Sequence, residues 1–153
     1  MERKEFAKKH RPGDGSRLKV GVAVSRFNGD ITEALLEGAL ETLRTWNVSE
    51  KNIHVMHVAG SFELPLAAQR LIQKHKADAV VALGCIVKGE TKHDEYIAHA
   101  VFHGLARVSL DHAVPVGLGV LTVNTLPQAR ARSRGKTNHG AYAAAAALDS
   151  ALA

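Results

Sequence analysis

The chain contains four short runs of apolar residues, each bounded by polar, glycine or charged positions. Continuous apolar runs of this length are typical of parallel β-strands that are buried on both faces of a sheet. They predict strands over residues 18–25, 53–59, 79–87 and 114–123.

Between these runs the apolar residues recur every three to four positions, which is the spacing of amphipathic helices. Two polar pairs look like helix starts, because Asp30 with Glu33 is placed as a capping box and Thr91 precedes Asp94 by three residues. The pattern predicts helices over residues 30–46, 63–76, 91–112, 126–134 and 141–152.

The predicted elements follow the order β-α-β-α-β-α-β-α-α, and each helical crossover is long enough to join parallel strands. We therefore expect a three-layer α/β/α domain of the flavodoxin-like type, with a four-stranded parallel sheet. It would span residues 18–153 as a single domain, after a basic N-terminal extension over residues 1–17 that is mobile unless something docks it. Ligands of such sheets bind outside the carboxyl ends of the strands.

Composition narrows the class of protein further. A chain of 153 residues can bury an adequate core without a disulfide or a metal, and its lone cysteine, Cys85, excludes an intrachain disulfide and a cysteine-based zinc cluster. The apolar runs are far shorter than a membrane span, and residues 1–17 lack the apolar core of a secretory signal. We expect a cytoplasmic protein that does not associate with membranes.

The positive charge of the chain is unevenly distributed. The net charge is +5, of which residues 1–19 carry +4 and all later residues only +1. The later part has one basic cluster without acidic residues: Arg130, Arg132, Arg134 and Lys136. Alternate positions on a helix do not share a face, so one or two of these cations can meet a single phosphate. The distribution argues against a nucleic-acid partner.

Polar and aromatic residues follow the first two predicted strands. Phe27 lies beside an Asn-Gly turn, where it could stack on a planar ligand or fold back over the sheet edge. Ser61 and Glu63 follow the second strand and could bind a polyol or simply cap the next helix.

The segment after the third strand contains several residues that could bind a ligand or transfer protons. Gly89 permits close approach of a ligand, and the amides near Thr91 open a helix whose N-terminus attracts anions. His93 lies in the first turn of that helix, where a neutral imidazole could exchange protons with a reacting group. Cys85 lies within an apolar run and is interpreted as a core residue.

Two further patterns carry less information. His99 and His103 have the spacing of a metal-binding pair on a helix, but no third ligand can be placed from the sequence. Residues 141–153 contain eight alanines, and such a small-residue helix face is compatible with self-association.

Five segments in order make the sequence resemble the lumazine synthase family, which catalyses the penultimate step of riboflavin biosynthesis. The resemblance covers residues from about 18 to 152. The segments are RFN at residues 26–28, GSFELP at 60–65, GCIVKGETKH at 84–93, VPV with GVLT at 114–122, and QA with Arg132 at 128–132.

The resemblance implies a reaction and a set of site residues. The family condenses 5-amino-6-(D-ribitylamino)uracil with 3,4-dihydroxy-2-butanone 4-phosphate, without a metal or redox cofactor. Phe27 would stack on the uracil ring, and Ser61, Phe62 and Glu63 would hold the ribityl chain. The pyrimidine would contact Cys85, Ile86 and Val87, and the phosphate would meet Glu90, Thr91 and Arg132. His93 would transfer protons.

The resemblance also implies self-association. The positions of Leu118 and Arg132 reach into a neighbouring subunit's site in the family, whose members form pentamers or larger shells. This chain departs from the usual pattern at Leu118, which is normally aromatic, at Asp94, which is also normally aromatic, and at His139, which is normally lysine.

Two other interpretations stay open at this point. The chain could be a non-catalytic flavin-binding, lumazine-binding or shell-forming member of the family. It could also be a different doubly wound protein, although residues 25–27 supply neither the acidic cluster of a phospho-receiver nor the glycine-rich loop of a dinucleotide-binding protein.

Overall fold

The centre of the molecule is a parallel sheet of four strands. The structure, a computed structural model, describes residue 5 and residues 11–153. The strands are β1 (Val20–Ser25), β2 (Ile53–Val58), β3 (Ala79–Val87) and β4 (Val116–Val123). Their order across the sheet is β2-β1-β3-β4, and every neighbouring pair is parallel. All four predicted strands are confirmed, with their ends shifted by two residues at most.

Five α-helices lie between residues 11 and 153 and connect or follow the strands. They are α1 (Gly29–Thr45), α2 (Leu64–His75), α3 (His93–His112), α4 (Leu126–Ser133) and α5 (His139–Leu152). Short 3₁₀ turns occupy Glu50–Asn52, Ser61–Glu63 and Gly135–Thr137. The prediction of a three-layer α/β/α domain of the flavodoxin-like type is confirmed.

Each face of the sheet is covered by its own apolar core. On one face Val20, Val22 and Val24 of β1 pack against buried residues of α1 and α5. On the other face Ala23 packs with buried residues of α2 and α3. Neighbouring residues of a strand point to opposite faces, so a strand between two helical layers must be apolar throughout. This explains why β3 is buried from Ala79 to Ile86.

Two predicted helix starts are wrong in detail. No capping box forms at α1, which follows Asn28 in a left-handed conformation without a side-chain cap. Glu33 instead places Oε1 2.7 Å from Nε2 of His57 on the neighbouring β2. The third helix begins at His93 rather than at residue 91. Glu33 has its partner on another element of the fold, which a local pattern does not reveal.

One buried asparagine connects α1, α4 and α5. Asn138 precedes α5, and its Oδ1 accepts the N–H groups of Gly140 (2.8 Å) and Ala141 (3.2 Å). Its Nδ2 donates to the carbonyls of Ala34 (2.9 Å) and Ser133 (2.7 Å). The side chain therefore caps one helix and donates to a carbonyl in each of two others.

The last part of the predicted extension is attached to the domain. The N–H of Gly15 donates to the carbonyl of Trp46 at 2.6 Å. A Cβ placed on Gly13 would lie 3.0 Å from Leu152 and 3.2 Å from the Trp46 ring. The prediction was mobility unless the extension docks, and Gly13 and Gly15 make such docking contacts. Residues 1–4 and 6–10 of the extension lie outside the described residues.

Within residue 5 and residues 11–153, no helix combines the length and the apolar character needed to cross a membrane.

Candidate active site

A cavity of about 320 Å³ opens at the carboxyl ends of β1, β2 and β3. The chain leaves β1 towards β2 on one side, while β3 and β4 lie on the other side. This reversal is the point at which open α/β sheets form their ligand crevices. The cavity is lined by Phe27, Asn28, Gly60, Ser61, Phe62, Glu63, Cys85, Ile86, Val87, His93, Asp94 and Ile97.

The structure brings eight of the predicted site residues together in this cavity. They come from three separate segments of the sequence: Phe27; Ser61, Phe62 and Glu63; Cys85, Ile86, Val87 and His93. Parallel strands end at the same edge of a sheet, so segments far apart in the chain converge there. An apolar wall with a few polar groups is typical of a site for a small organic ligand.

Two aromatic rings at the cavity are unusually accessible. The exposed fractions are 73% for Phe27 and 59% for Phe62. Phe27 is held by its backbone, because its N–H donates to the carbonyl of Ala59 at 3.0 Å. The ring therefore does not pack down against the sheet, and it offers an open face to a planar ligand.

Asn28 bridges the two sides of the crevice. It has a φ of 57°, a conformation that asparagine tolerates better than most residues, and its Nδ2 donates to the carbonyl of Cys85 at 3.0 Å. This bond ties the turn that carries Phe27 to the end of β3. The sequence signalled a turn here through the Asn-Gly pair but did not indicate this structural role.

The GSFE segment is held tightly against β3. Oε2 of Glu63 accepts the N–H of Gly60 at 2.9 Å, so the capping interpretation describes part of the role of this residue. A carboxylate has further acceptor capacity for ligand hydroxyls. Ser61 is buried, and a Cβ on Gly84 would lie only 2.6 Å from its Oγ. Glycine at position 84 is therefore required by the close approach of these two segments.

Cys85 is a buried thiol. Only 2% of the residue is exposed. Loss of solvent, with a smaller contribution from the negative charge of Asp30, raises the pKa of Cys85 to about 11. A thiol with this pKa is protonated at neutral pH, so its interpretation as a core residue rather than a nucleophile is supported.

We expect Cys85 to react at least about tenfold more slowly with iodoacetamide in the folded protein than in guanidinium chloride at pH 8. The folded protein binds the thiol proton more tightly than the unfolded chain. The protonated thiol therefore contributes to the stability of the folded protein. That contribution is complete below pH 9, where the thiol is protonated in both states, and is lost as the pH rises from 9.0 towards about 11. Mass spectrometry of the alkylated protein measures the rate. Equal rates in the folded and unfolded states would contradict the assigned burial.

The loop of residues 88–92 adjoins the cavity, which is lined by its flanking residues Val87 and His93. His93 is the first residue of α3, and its N–H donates to Oγ1 of Thr91 at 3.4 Å. Glu90 and Thr91 are exposed and do not line the cavity itself. The amides that begin α3 point towards this loop, as the N-terminus of a helix requires.

Leu118 and Arg132 lie away from the cavity of their own chain. Leu118 pairs with Ala82, whereas Cys85 pairs with Leu121, so Leu118 is three residues further from the carboxyl edge. Three residues of a strand span about 10 Å. Arg132 is exposed on α4, where its Nη1 donates to the carbonyl of Gln128 at 3.1 Å.

The basic cluster separates in space. Arg130 and Arg132 are exposed on α4, whereas Arg134 and Lys136 line a groove between α1 and α5. His99 and His103 remain a pair, since the described residues contain no group of three or more histidine, cysteine or carboxylate side chains that could hold a metal.

Comparison with known proteins identifies the family. The family model described as 6,7-dimethyl-8-ribityllumazine synthase matches residues 17–153. A curated 6,7-dimethyl-8-ribityllumazine synthase from Porphyromonas gingivalis is 46% identical over 135 residues, which cover 88% of this chain and 84% of the relative. The chain belongs to the 6,7-dimethyl-8-ribityllumazine synthase family.

Membership of the 6,7-dimethyl-8-ribityllumazine synthase family confirms the resemblance inferred from the five sequence segments. The matched range includes both the cavity and the positions of Leu118 and Arg132. The rival interpretation as another kind of doubly wound protein is therefore wrong.

Proposed function

We propose that the 320 Å³ cavity is the site at which this enzyme, a transferase of riboflavin biosynthesis, condenses 5-amino-6-(D-ribitylamino)uracil with 3,4-dihydroxy-2-butanone 4-phosphate. The product is 6,7-dimethyl-8-ribityllumazine. The observation that carries the proposal is the convergence of an exposed aromatic ring, a polyol acceptor and a histidine in one crevice: Phe27, Glu63 and His93.

The cavity suits the aromatic substrate. The open face of Phe27 stacks on the uracil ring, and the ring of Phe62 shields the neighbouring wall. Ser61 and Glu63 accept hydrogen bonds from the ribityl hydroxyls. Cys85, Ile86 and Val87 contact the pyrimidine at the end of β3, largely through their backbone groups.

The phosphate of the second substrate needs a cationic site lined by amides. Glu90 and Thr91 border this site, and the N-terminus of α3 faces the phosphate. Arg132 is outside the cavity of its own chain, so we assign it, with Leu118, to the site of a neighbouring subunit. The assembly would be a pentamer or a multiple of pentamers with shared sites.

The reaction moves protons at each step. The 5-amino group attacks the ketone and loses one water to form an imine, phosphate leaves by elimination, and the ribityl-bearing nitrogen closes the ring with loss of a second water. His93 at the mouth of the cavity can accept a proton from the attacking amine and return it to a departing hydroxyl. Holding both substrates in one crevice supplies much of the remaining acceleration.

The direct test is product formation by the purified protein. With both substrates present, we expect release of one phosphate for each fluorescent lumazine formed, at a rate well above that of the uncatalysed condensation. Binding of the product without turnover would instead indicate a non-catalytic family member.

Light scattering tests the proposed assembly by measuring the mass of the enzyme in solution. An active monomer would contradict a site shared between subunits.

We also propose a cytoplasmic location for the enzyme, without nucleic-acid or membrane partners. A doubly charged phosphate ester does not cross a bilayer unaided, so the enzyme and the source of this substrate belong in the same compartment.

A further inference from the structure

Asp94 occupies the wall between two cavities. It lines the candidate active site and also a second cavity of about 420 Å³ beside it. As the second residue of α3 it points back along the chain, and its Oδ1 accepts the N–H of Gly89 at 3.3 Å. No role of Asp94 follows from the reaction described above.

The bond from Asp94 closes the loop of residues 88–92. At its start, the N–H of Lys88 donates to the carbonyl of Val123 at 2.8 Å. A Cβ on Gly89 would meet no atom within 4 Å, so packing does not hold the loop at this point. The bond between Gly89 and Asp94 therefore fastens an otherwise exposed turn to the first turn of α3.

We propose that Asp94 is a positioning residue that fixes this loop for the phosphate-bearing substrate. The inference rests on the proposed function, because Glu90 and Thr91 are the loop residues assigned to that substrate. A loop held in its binding geometry loses less conformational entropy when the ligand binds. The proposed function assigns Asp94 no contact with the ring or the ribityl chain, so we expect its effect to be specific to the phosphate-bearing substrate.

Three variants separate the hydrogen bond from the charge. Asp94→Ala removes both, Asp94→Asn keeps the oxygen acceptor and removes the charge, and Glu95→Gln removes a neighbouring charge that makes no bond to Gly89. For Asp94→Ala, we expect the KM for the butanone phosphate to rise about fivefold, with the KM for the pyrimidine unchanged. Asp94→Asn should have a KM at or below that of the unmodified enzyme, since it also removes repulsion of the phosphate.

An independent measurement does not need catalysis. Amide hydrogen exchange of a peptide covering residues 86–92 should accelerate in Asp94→Ala and remain slow in Asp94→Asn and Glu95→Gln. Equal exchange in all four proteins would overturn the positioning role even if the enzyme is active. Loss of affinity in both Asp94 variants would also overturn it, because the charge rather than the bond would then be responsible. Absence of turnover in the unmodified protein would overturn the proposed function instead.

Discussion

Mixed assemblies of the His93→Ala and Arg132→Ala variants are expected to regain activity that neither variant has alone. His93 lines the cavity of its own chain, whereas Arg132 lies outside it. If each site takes its histidine from one subunit and its arginine from the next, a random ring of the two variants contains some intact sites. About a quarter of the sites would carry both residues.

The single variants set the baseline for this experiment. For Arg132→Ala we expect kcat/KM for the butanone phosphate to fall about a hundredfold, because a cation that meets the departing phosphate is lost. For His93→Ala we expect a fall of about ten- to a hundredfold, since His93 is exposed and water can replace it in part as a proton carrier. Arg130→Ala is the matched control, because it removes an exposed arginine of the same helix that has no assigned role.

The subunits are mixed by coexpression or by refolding together, and the activity is compared with that of preformed assemblies simply combined. Recovery to about a quarter of the unmodified activity in the refolded mixture, and no recovery in the combined one, is the expected result. Refolded mixtures that show only the average of the two parent activities would place His93 and Arg132 in the same subunit's site.

The second large effect concerns stability. Replacing Asn138 with alanine should lower the free energy of unfolding by about 2–4 kcal/mol. Asn138 is 7% exposed and its side chain makes four hydrogen bonds, so its removal uncaps α5, leaves the carbonyl of Ser133 without this donor and removes a second donor from the carbonyl of Ala34 inside α1. The size of the effect follows from the burial of these groups rather than from the number of bonds.

Two further variants test the origin of this effect. Asn138→Ser keeps an acceptor for the cap but loses the amide group that reaches the two carbonyls, so its stability should lie between those of the unmodified protein and the alanine variant. Asn124→Ala removes an exposed asparagine just before α4 and should change the unfolding free energy by less than about 0.5 kcal/mol. Denaturant unfolding at one protein concentration measures all three, because assembly contributes to apparent stability. An alanine variant as stable as the unmodified protein would contradict the role given to this side chain.

Most of the fold could be predicted from the spacing of apolar residues. The strand over Ala79–Val87 has the predicted bounds because it is buried on both faces, which forces an unbroken apolar run. The start of α3 was misplaced by two residues because Thr91 and Asp94 have the spacing of a cap. In the structure the carboxylate of Asp94 accepts the N–H of Gly89 instead, because the path of the loop brings that N–H next to it. The spacing of polar residues does not indicate this path.

The sequence indicated which residues form the site better than it indicated which bonds hold them in place. The order of strands brings Phe27, Glu63 and His93 to one edge, and each was a candidate from its position after a strand. The hydrogen bond from Asn28 to Cys85 joins residues that are 57 positions apart, so no local sequence pattern predicts it. The pattern of residues alone did not indicate that Leu118 and Arg132 lie outside the cavity of their own chain, and only the family resemblance implied it.

The contact of Gly13 with Leu152 and Trp46 brings the beginning and the end of the domain together. Trp46 follows α1 and precedes β2, so this meeting point lies at the amino edge of the sheet, opposite the cavity. A polypeptide that follows residue 153 would therefore leave the domain beside the point at which residue 13 enters it, away from the cavity. The same proximity permits a circular permutant, in which a short linker joins the two ends and new termini open in an exposed loop.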